Sequence, residues 1–240
     1  KTSTVSNNTA FGSQSLRDTT TGANNTAVGR DAMKANTEGA SNVAVGANAL
    51  VANTTGANNT ALGCGALAAN TTASSNTSLG RNSLFANQTG CCNTANGMGA
   101  LTANQSGDNN VAVGVLALGA NIGADNNTAV GTCALKTNTA GDLNTAVGLC
   151  AFSTQTTARK NTGVGSKVGA STTTGGSNVA MGQDTFRTNT TGSNNTAIGT
   201  LALFANTTGA DNTAVGADAL VANTTGYINV AVGHDAMKAN

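Results

Sequence analysis

A 17-residue repeat runs through the sequence and limits the possible folds more than any other feature. From Asn7 onward the pattern N-N-T-A-V-G-x-x-A-L-x-A-N-T-T-G-x returns without insertion or deletion. We call each copy a coil and number its residues 1 to 17. The coils begin at residues 7, 24, 41, 58, 75, 92, 109, 126, 143, 160, 177, 194, 211 and 228. No linker interrupts them, so we predict one repeat domain over residues 1–240. Because the sequence starts and stops inside a coil, we expect it to be a segment of a longer fibre or a subunit that stacks end to end.

The length of the repeat excludes the common helical architectures. Helical repeats usually need more than about 30 residues per unit, and leucine-rich repeats need about 20 or more. Aromatic residues make up only 2% of the chain, which rules out a thick aromatic core. We therefore predict an all-β, single-domain parallel β-solenoid, a β-roll or β-helix, of about fourteen 17-residue coils. Each coil is expected to hydrogen-bond to the next at about 4.8 Å.

Two positions of the coil are invariant. Position 6 is always Gly, which suits a corner that needs a positive φ or a close backbone approach. Position 2 is always Asn, and we predict that these side chains form a ladder along the stack. The predicted ladder comprises Asn8, Asn25, Asn42, Asn59, Asn76, Asn93, Asn110, Asn127, Asn144, Asn161, Asn178, Asn195, Asn212 and Asn229.

The remaining positions suggest which side chains form the core. Positions 2–6 alternate like a short strand, and we expect positions 3 and 5 to point inward and the Ala at position 4 to point outward. A second short strand is expected through A-L-x-A-N, with the large apolar residue of position 10 inward. The Ala residues of positions 4 and 9 would then suit close packing against neighbouring chains, although small residues also suit a thin solenoid without neighbours.

One coil departs from the pattern. In the coil 160–176, Gly163 and Gly169 stand where Ala and Leu are expected, and Val168 partly refills the core. We predict local flexibility in this coil.

Charge and hydropathy exclude two classes of partner. The net charge is +1 and charged residues make up 9% of the chain, so there is no basic field for nucleic acid or an anionic membrane. No apolar stretch approaches the roughly 18 residues of a membrane span, so we expect no membrane insertion by this segment.

Residues suited to catalysis are few, and we predict that the chain is not an enzyme and holds no cofactor. His234 is the only histidine. Asp218 and Asp235 occupy the same position in neighbouring coils and are able to bind a cation or act in acid–base chemistry. Nearby Lys238 favours a solvated surface instead. A lectin-like carbohydrate site would usually need an aromatic platform, and Tyr227 is the only tyrosine.

Three acids stack at position 17, namely Asp108, Asp125 and Asp142. Carboxylates at an exposed corner are weak candidates for a calcium site, and a solvated acidic stripe is the alternative. We expect no metal elsewhere.

Cysteines recur at the spacing of the coil. Cys133 and Cys150 lie 17 residues apart at position 8, which places them at a separation compatible with a disulfide. The alternative is two small residues that simply fill the position. The vicinal pair Cys91–Cys92 lies at a corner and is able to link chains.

Threonine-rich positions allow a second function. Position 14 would form an outward rank able to order water and bind ice, comprising Thr54, Thr71, Thr190, Thr207 and Thr224. The alternative is a polar ladder that binds no ligand. Position 13 carries glycosylation sequons, which in a eukaryotic secretory route would carry glycans. These include Asn53, Asn70, Asn189, Asn206 and Asn223.

The short strands resemble those of known fibre proteins. SNVAVG (41–46), NNVAVG (109–114), SNVAMG (177–182) and INVAVG (228–233) resemble the repeats of YadA-like trimeric autotransporter heads. The longer unit at 190–216 is similar to repeats of phage-type tail-fibre proteins. The resemblance implies a left-handed, trimeric β-roll.

From this we expect a structural or adhesive extracellular fibre segment, either a surface adhesin or a tail-fibre-like shaft, on a cell surface or virion. The expected partners are further copies of the chain, as a trimer or an end-to-end filament, and a cell-surface receptor or glycan. An ice-binding β-solenoid is the alternative.

Overall fold

The computed structural model describes residues 7–239, and the strands it contains are all three residues long. Residues 1–6 and 240 of the predicted domain lie outside this range. Each strand occupies positions 3–5 of a coil. The strands are Thr9–Phe11 (β1), Thr26–Val28 (β2), Val43–Val45 (β3), Thr60–Leu62 (β4), Thr77–Leu79 (β5), Thr94–Asn96 (β6), Val111–Val113 (β7), Thr128–Val130 (β8), Thr145–Val147 (β9), Thr162–Val164 (β10), Val179–Met181 (β11), Thr196–Ile198 (β12), Thr213–Val215 (β13) and Val230–Val232 (β14).

The chain forms two compact units, of which the first ends at Ala124 and the second begins at Asp125. In the first unit β1 to β7 pair in chain order, and in the second β8 to β14 do the same. Every pair is parallel and joins residues 17 apart, as in Thr26↔Val43 and Thr213↔Val230. Both units are therefore all-β solenoids with the predicted 17-residue coil.

The direction of the strand side chains is opposite to the prediction. Ala at position 4 points inward and is fully buried, as for Ala44 and Ala197. The residues of positions 3 and 5, such as Val43 and Ile198, are 39% and 37% exposed. The Ala residues of positions 4 and 9 are thus core residues, not the expected surface for neighbouring chains. The coil is too thin for two large side chains to meet across its core. The Ala of position 4 therefore faces the Ala of position 9, and only position 10 contributes a large core residue.

A pair of serines shows how closely positions 4 and 9 approach. Ser78 and Ser83 replace the two Ala residues in one coil, and both are buried. Ser83 Oγ donates to Gly80 O at 2.9 Å, and Ser78 Oγ, which lies within hydrogen-bond distance of both the hydroxyl and the carbonyl oxygen of Ser83, donates its one proton to one of them. Both polar groups are satisfied because they face each other across the core.

The second predicted strand is wrong, because positions 7–12 form turns. Positions 8 and 10 have positive φ, for example 58° at Asn48 and 50° at Leu50. Position 10 does point inward as predicted, since Leu50 and Leu118 are fully buried. A left-handed backbone is least tolerable for β-branched side chains. This explains why position 10 contains Leu, Met, Phe or Gly and never Val, Ile or Thr.

The core of the coil 160–176 is filled by a side chain from the preceding coil. A Cβ on Gly169 or on Gly163 would overlap the ring of Phe152, which occupies position 10 of the preceding coil and is fully buried. Val168 is also fully buried, in the place of the usual Ala. One large ring thus fills the volume that two glycines leave. The flexibility of this coil stays a prediction.

We predict that restoring the consensus here destabilises the protein. Gly163→Ala should lower the free energy of unfolding by about 1–3 kcal/mol because the added methyl overpacks the core against Phe152. Phe152→Leu alone should cost roughly 1–3 kcal/mol through the cavity that it leaves. In the double variant the two losses should cancel in part, giving a favourable coupling in urea denaturation. Additive losses would contradict the packing described above.

Candidate functional surfaces

The invariant Asn of position 2 forms a buried ladder. In most coils Oδ1 accepts the backbone N–H of the next Asn, as from Asn76 to Asn59 at 3.0 Å, and Nδ2 donates to the carbonyl of position 16 in its own coil, as to Ala73 at 2.9 Å. In several coils Nδ2 also contacts the preceding Oδ1, as between Asn42 and Asn25 at 3.2 Å. The side chain therefore links consecutive coils mainly through the backbone.

A second buried ladder, at position 13, was not predicted. Asn53 Nδ2 donates to Asn36 Oδ1 at 2.8 Å and to Gly56 O at 2.9 Å, and Asn70 repeats the pattern one coil later. The carbonyl of position 16 thus accepts one amide from each ladder, for example Ala73 O from Asn59 and Asn70. The signal in the sequence is the near-constant Asn of position 13, whose only predicted role is that of a glycosylation sequon.

Burial also determines whether those sequons are able to carry glycans. Asn53, Asn70, Asn189, Asn206 and Asn223 are at most 2% exposed. A glycan replaces one hydrogen of Nδ2, and each of these nitrogens lies within hydrogen-bond distance of two acceptors. The folded coil therefore has no room for glycans at position 13.

Four of the five threonines predicted to bind ice donate to the backbone of the next coil, and the fifth, Thr224, is exposed and accepts from Thr207 through its carbonyl. Thr54 Oγ1 donates to Thr71 O at 3.0 Å, Thr190 Oγ1 to Thr207 O at 3.0 Å, and Thr207 Oγ1 to Thr224 O at 3.0 Å. Thr71 makes the same contact with Gln88 O at 3.4 Å. A hydroxyl has one proton to donate. This rank therefore forms part of the coil-to-coil hydrogen bonding.

The acids of position 17 also contact the backbone. Asp108 Oδ1 accepts the N–H of Cys91 at 2.7 Å, and Asp142 Oδ1 accepts the N–H of Asp125 at 3.0 Å. The second oxygen of Asp142 is paired with Arg159, which occupies position 17 of the next coil. Ser74 caps Ala57 N–H in the same way at 3.0 Å, so the cap does not need a charge. The calcium site at these acids stays a prediction.

The five cysteines are free thiols in the structure. Cys133 and Cys150 are both partly buried, with left-handed backbones at φ 58° and 52°. The disulfide between them stays a prediction. Cys92 is exposed at its corner, and Cys91 is partly buried.

The structure brings together three titratable side chains in the last two coils. Ligand atoms of Asp218, His234 and Asp235 all lie within 4.8 Å of one another. Lys238 Nζ lies 2.8 Å from Asp235 Oδ1, and this hydrogen bond holds the pKa of Asp235 below its usual value. His234 Nδ1 lies 3.1 Å from the other oxygen of Asp235. The group is mostly exposed, and its central carboxylate already has a cationic partner.

The outward side chains of the strands form the most uniform surface of each unit. We call positions 3 and 5 of β1–β7, and likewise of β8–β14, the strand face of that unit. Position 3 is always Thr or Val, and position 5 is Val, Leu, Ile, Met or Phe except at Asn96. None of these residues is charged. Leu62 is 49% exposed and Met181 is 42% exposed. Each unit thus presents an apolar and threonine surface whose pattern recurs with every coil.

Within residues 7–239, no helix is long and apolar enough to cross a bilayer. Comparison with models of protein families finds no match. Neither the curated proteins nor the solved structures contain a significant match to the chain.

Proposed function

We propose that this chain is a non-enzymatic structural segment of an extracellular fibre, a shaft or adhesive stalk on a cell surface or virion. The observation that carries the proposal is the pair of buried Asn ladders. They repeat the same coil-to-coil bonds at the fixed spacing of 17 residues in both units.

Such ladders favour a load-bearing role. A buried amide without a partner costs about 1–3 kcal/mol, so opening one coil exposes several groups that only the next coil satisfies. Stability in stacked repeats resides in these neighbour interfaces. A chain built in this way resists local opening, which is what a shaft exposed to proteases requires.

The proposal includes association with further copies of the chain, as a trimer or a filament, and contact with a receptor or glycan at the surface that the fibre reaches. Ice binding through position 14 is not favoured, because its hydroxyls already donate to backbone carbonyls.

Immunogold labelling tests the function directly. Antibodies raised against the folded chain should decorate filaments on intact cells or virions of the source. Labelling confined to permeabilised cells would overturn the extracellular assignment, and labelling of the surface without filaments would overturn the fibre.

A further inference from the structure

We propose that the strand face of each unit is a docking surface for the strand face of a second copy of the same chain, so that two solenoids pack sheet against sheet. The inference rests on the proposed function and deepens it, since it identifies the surface through which fibre subunits associate. It makes a pair of chains, in place of a trimer, the unit from which a filament would be built.

The chemistry of the strand face favours a partner of the same kind. Its two rows contain no charged residue, and the flanking positions 1 and 7 are mixed, with charges at Lys160, Asp211 and Arg30 and exposed apolar side chains at Met98, Val115 and Leu149. Depletion of charged residues is the compositional mark of an interface core. A nucleic acid or an acidic partner would find no complementary charge on this surface.

The geometry also favours a second copy. Strands recur about every 4.8 Å, and stacked sheets pack about 10 Å apart. A second strand face presents the same spacing, so its side chains are able to interdigitate along all seven strands of a unit, as in dry interfaces between stacked sheets. Few other proteins would match that repeat.

The strand face of each unit is large enough to be an interaction site. Seven strands at about 4.8 Å, with two rows of side chains about 10 Å across, give roughly 350 Å² per unit. The largest exposed apolar patch on a soluble protein covers roughly 300–600 Å² and is often functional. The face is smaller than the roughly 800 Å² that each partner contributes to a standard interface, so we expect a weak association that is complete only at high protein concentration.

Variation in side-chain size argues against ice as the occupant. Position 5 includes Phe11, Leu62 and Met181 among the valines, so its outer surface is uneven. A flexible protein partner repacks around such differences, whereas an ice plane does not. Ice is therefore the competing occupant of the strand face, and the test distinguishes it from a second copy of the chain.

The test is the solution mass of paired variants, measured by sedimentation equilibrium up to about 100 µM. Because each unit has its own strand face, the variant Leu62→Lys/Ile198→Lys places one charge in each. The matched control Thr72→Lys/Thr208→Lys adds the same charges at exposed positions away from the strands. The native chain and the control should have twice the 23.2 kDa chain mass, and the face variant should have 23.2 kDa with an unchanged circular dichroism spectrum.

Three results would overturn the proposal. They are a native mass of 23.2 kDa, a mass of three or more copies, and a dimer that the face variant leaves intact. A monomer that also produced thermal hysteresis would identify ice as the occupant of the strand face. A failure here leaves the fibre assignment to the labelling experiment, which does not depend on which surface associates.

Discussion

Gly199→Ala is expected to unfold the coils around it, with a loss of at least about 4 kcal/mol. Gly199 occupies position 6 with φ +128°, a conformation that residues with a side chain rarely adopt. A Cβ here would lie 2.5 Å from the carbonyl oxygen of Gly216 in the next coil. The clash is with backbone, which cannot move aside without breaking the hydrogen bond from Gly216 N–H to Ile198 O, now 2.8 Å.

The last coil supplies a matched control for this prediction. Gly233 has nearly the same φ, +127°, but a Cβ there would approach nothing closer than Ala236 Cβ at 4.0 Å. Gly233→Ala therefore retains the backbone strain, about 1–3 kcal/mol, without the clash. Residue-resolved hydrogen exchange should show protection of the Gly216 amide lost in the first variant, and protection of the Gly233 amide, bonded to Val215 O at 2.7 Å, retained in the second. Equal losses of protection in the two variants would mean that backbone strain alone, and not the clash, makes glycine necessary at position 6.

The fold is predictable from the 17-residue period because short coils are able to stack in only a few ways. Once each coil is 17 residues long and no coil is self-sufficient, residues 17 apart must pair, and the parallel pairing of Thr26 with Val43 shows this. The invariant Asn and Gly were also informative, since each tolerates little substitution at a corner or in a buried ladder. These predictions depended on spacing and residue type alone.

The direction of the strand side chains was not predictable in the same way. Alternation in T-A-V specifies two faces but not which of them is buried. Ordinary hydrophobic reasoning assigns the larger residues to the core, whereas the thin coil buries the small residue of position 4 instead. The clue was position 10, where the absence of β-branched residues indicates a left-handed backbone, and therefore a turn that carries the one large core residue.

The surfaces were harder to predict because their role depends on that reversal. With Ala inward, the valines and threonines of the strands become an exposed face. The threonines of position 14, which seemed free in sequence, donate to backbone carbonyls instead. Hydrogen-bond partners one coil away are visible only when the stacking geometry is known.

Asn59→Asp is expected to make stability strongly dependent on pH. Asn59 is fully buried, accepts the N–H of Asn76 and donates to Ala73 O. A neutral Asp reproduces both bonds, because its carbonyl oxygen accepts and its hydroxyl donates. An ionised Asp has no proton for Ala73 O and places a charge in the core, which costs several kcal/mol. Burial therefore raises the pKa of this carboxyl in the folded state.

The sign of the pH dependence follows from that raised pKa. Below the unfolded-state pKa of about 4, both states bind the proton and the variant should be nearly as stable as the parent. As the pH rises, the unfolded state releases the proton first, so the variant loses stability until the pH passes the folded-state pKa. The measurement is the difference in urea midpoint between variant and parent at pH 3, 5 and 7. The control Asn59→Ala lacks a titratable group and should lose about 2–4 kcal/mol at every pH. A loss for Asn59→Asp that is the same at pH 3 and pH 7 would show that the ladder does not need the donor on position 2, and the load-bearing argument for the fibre would fail with it.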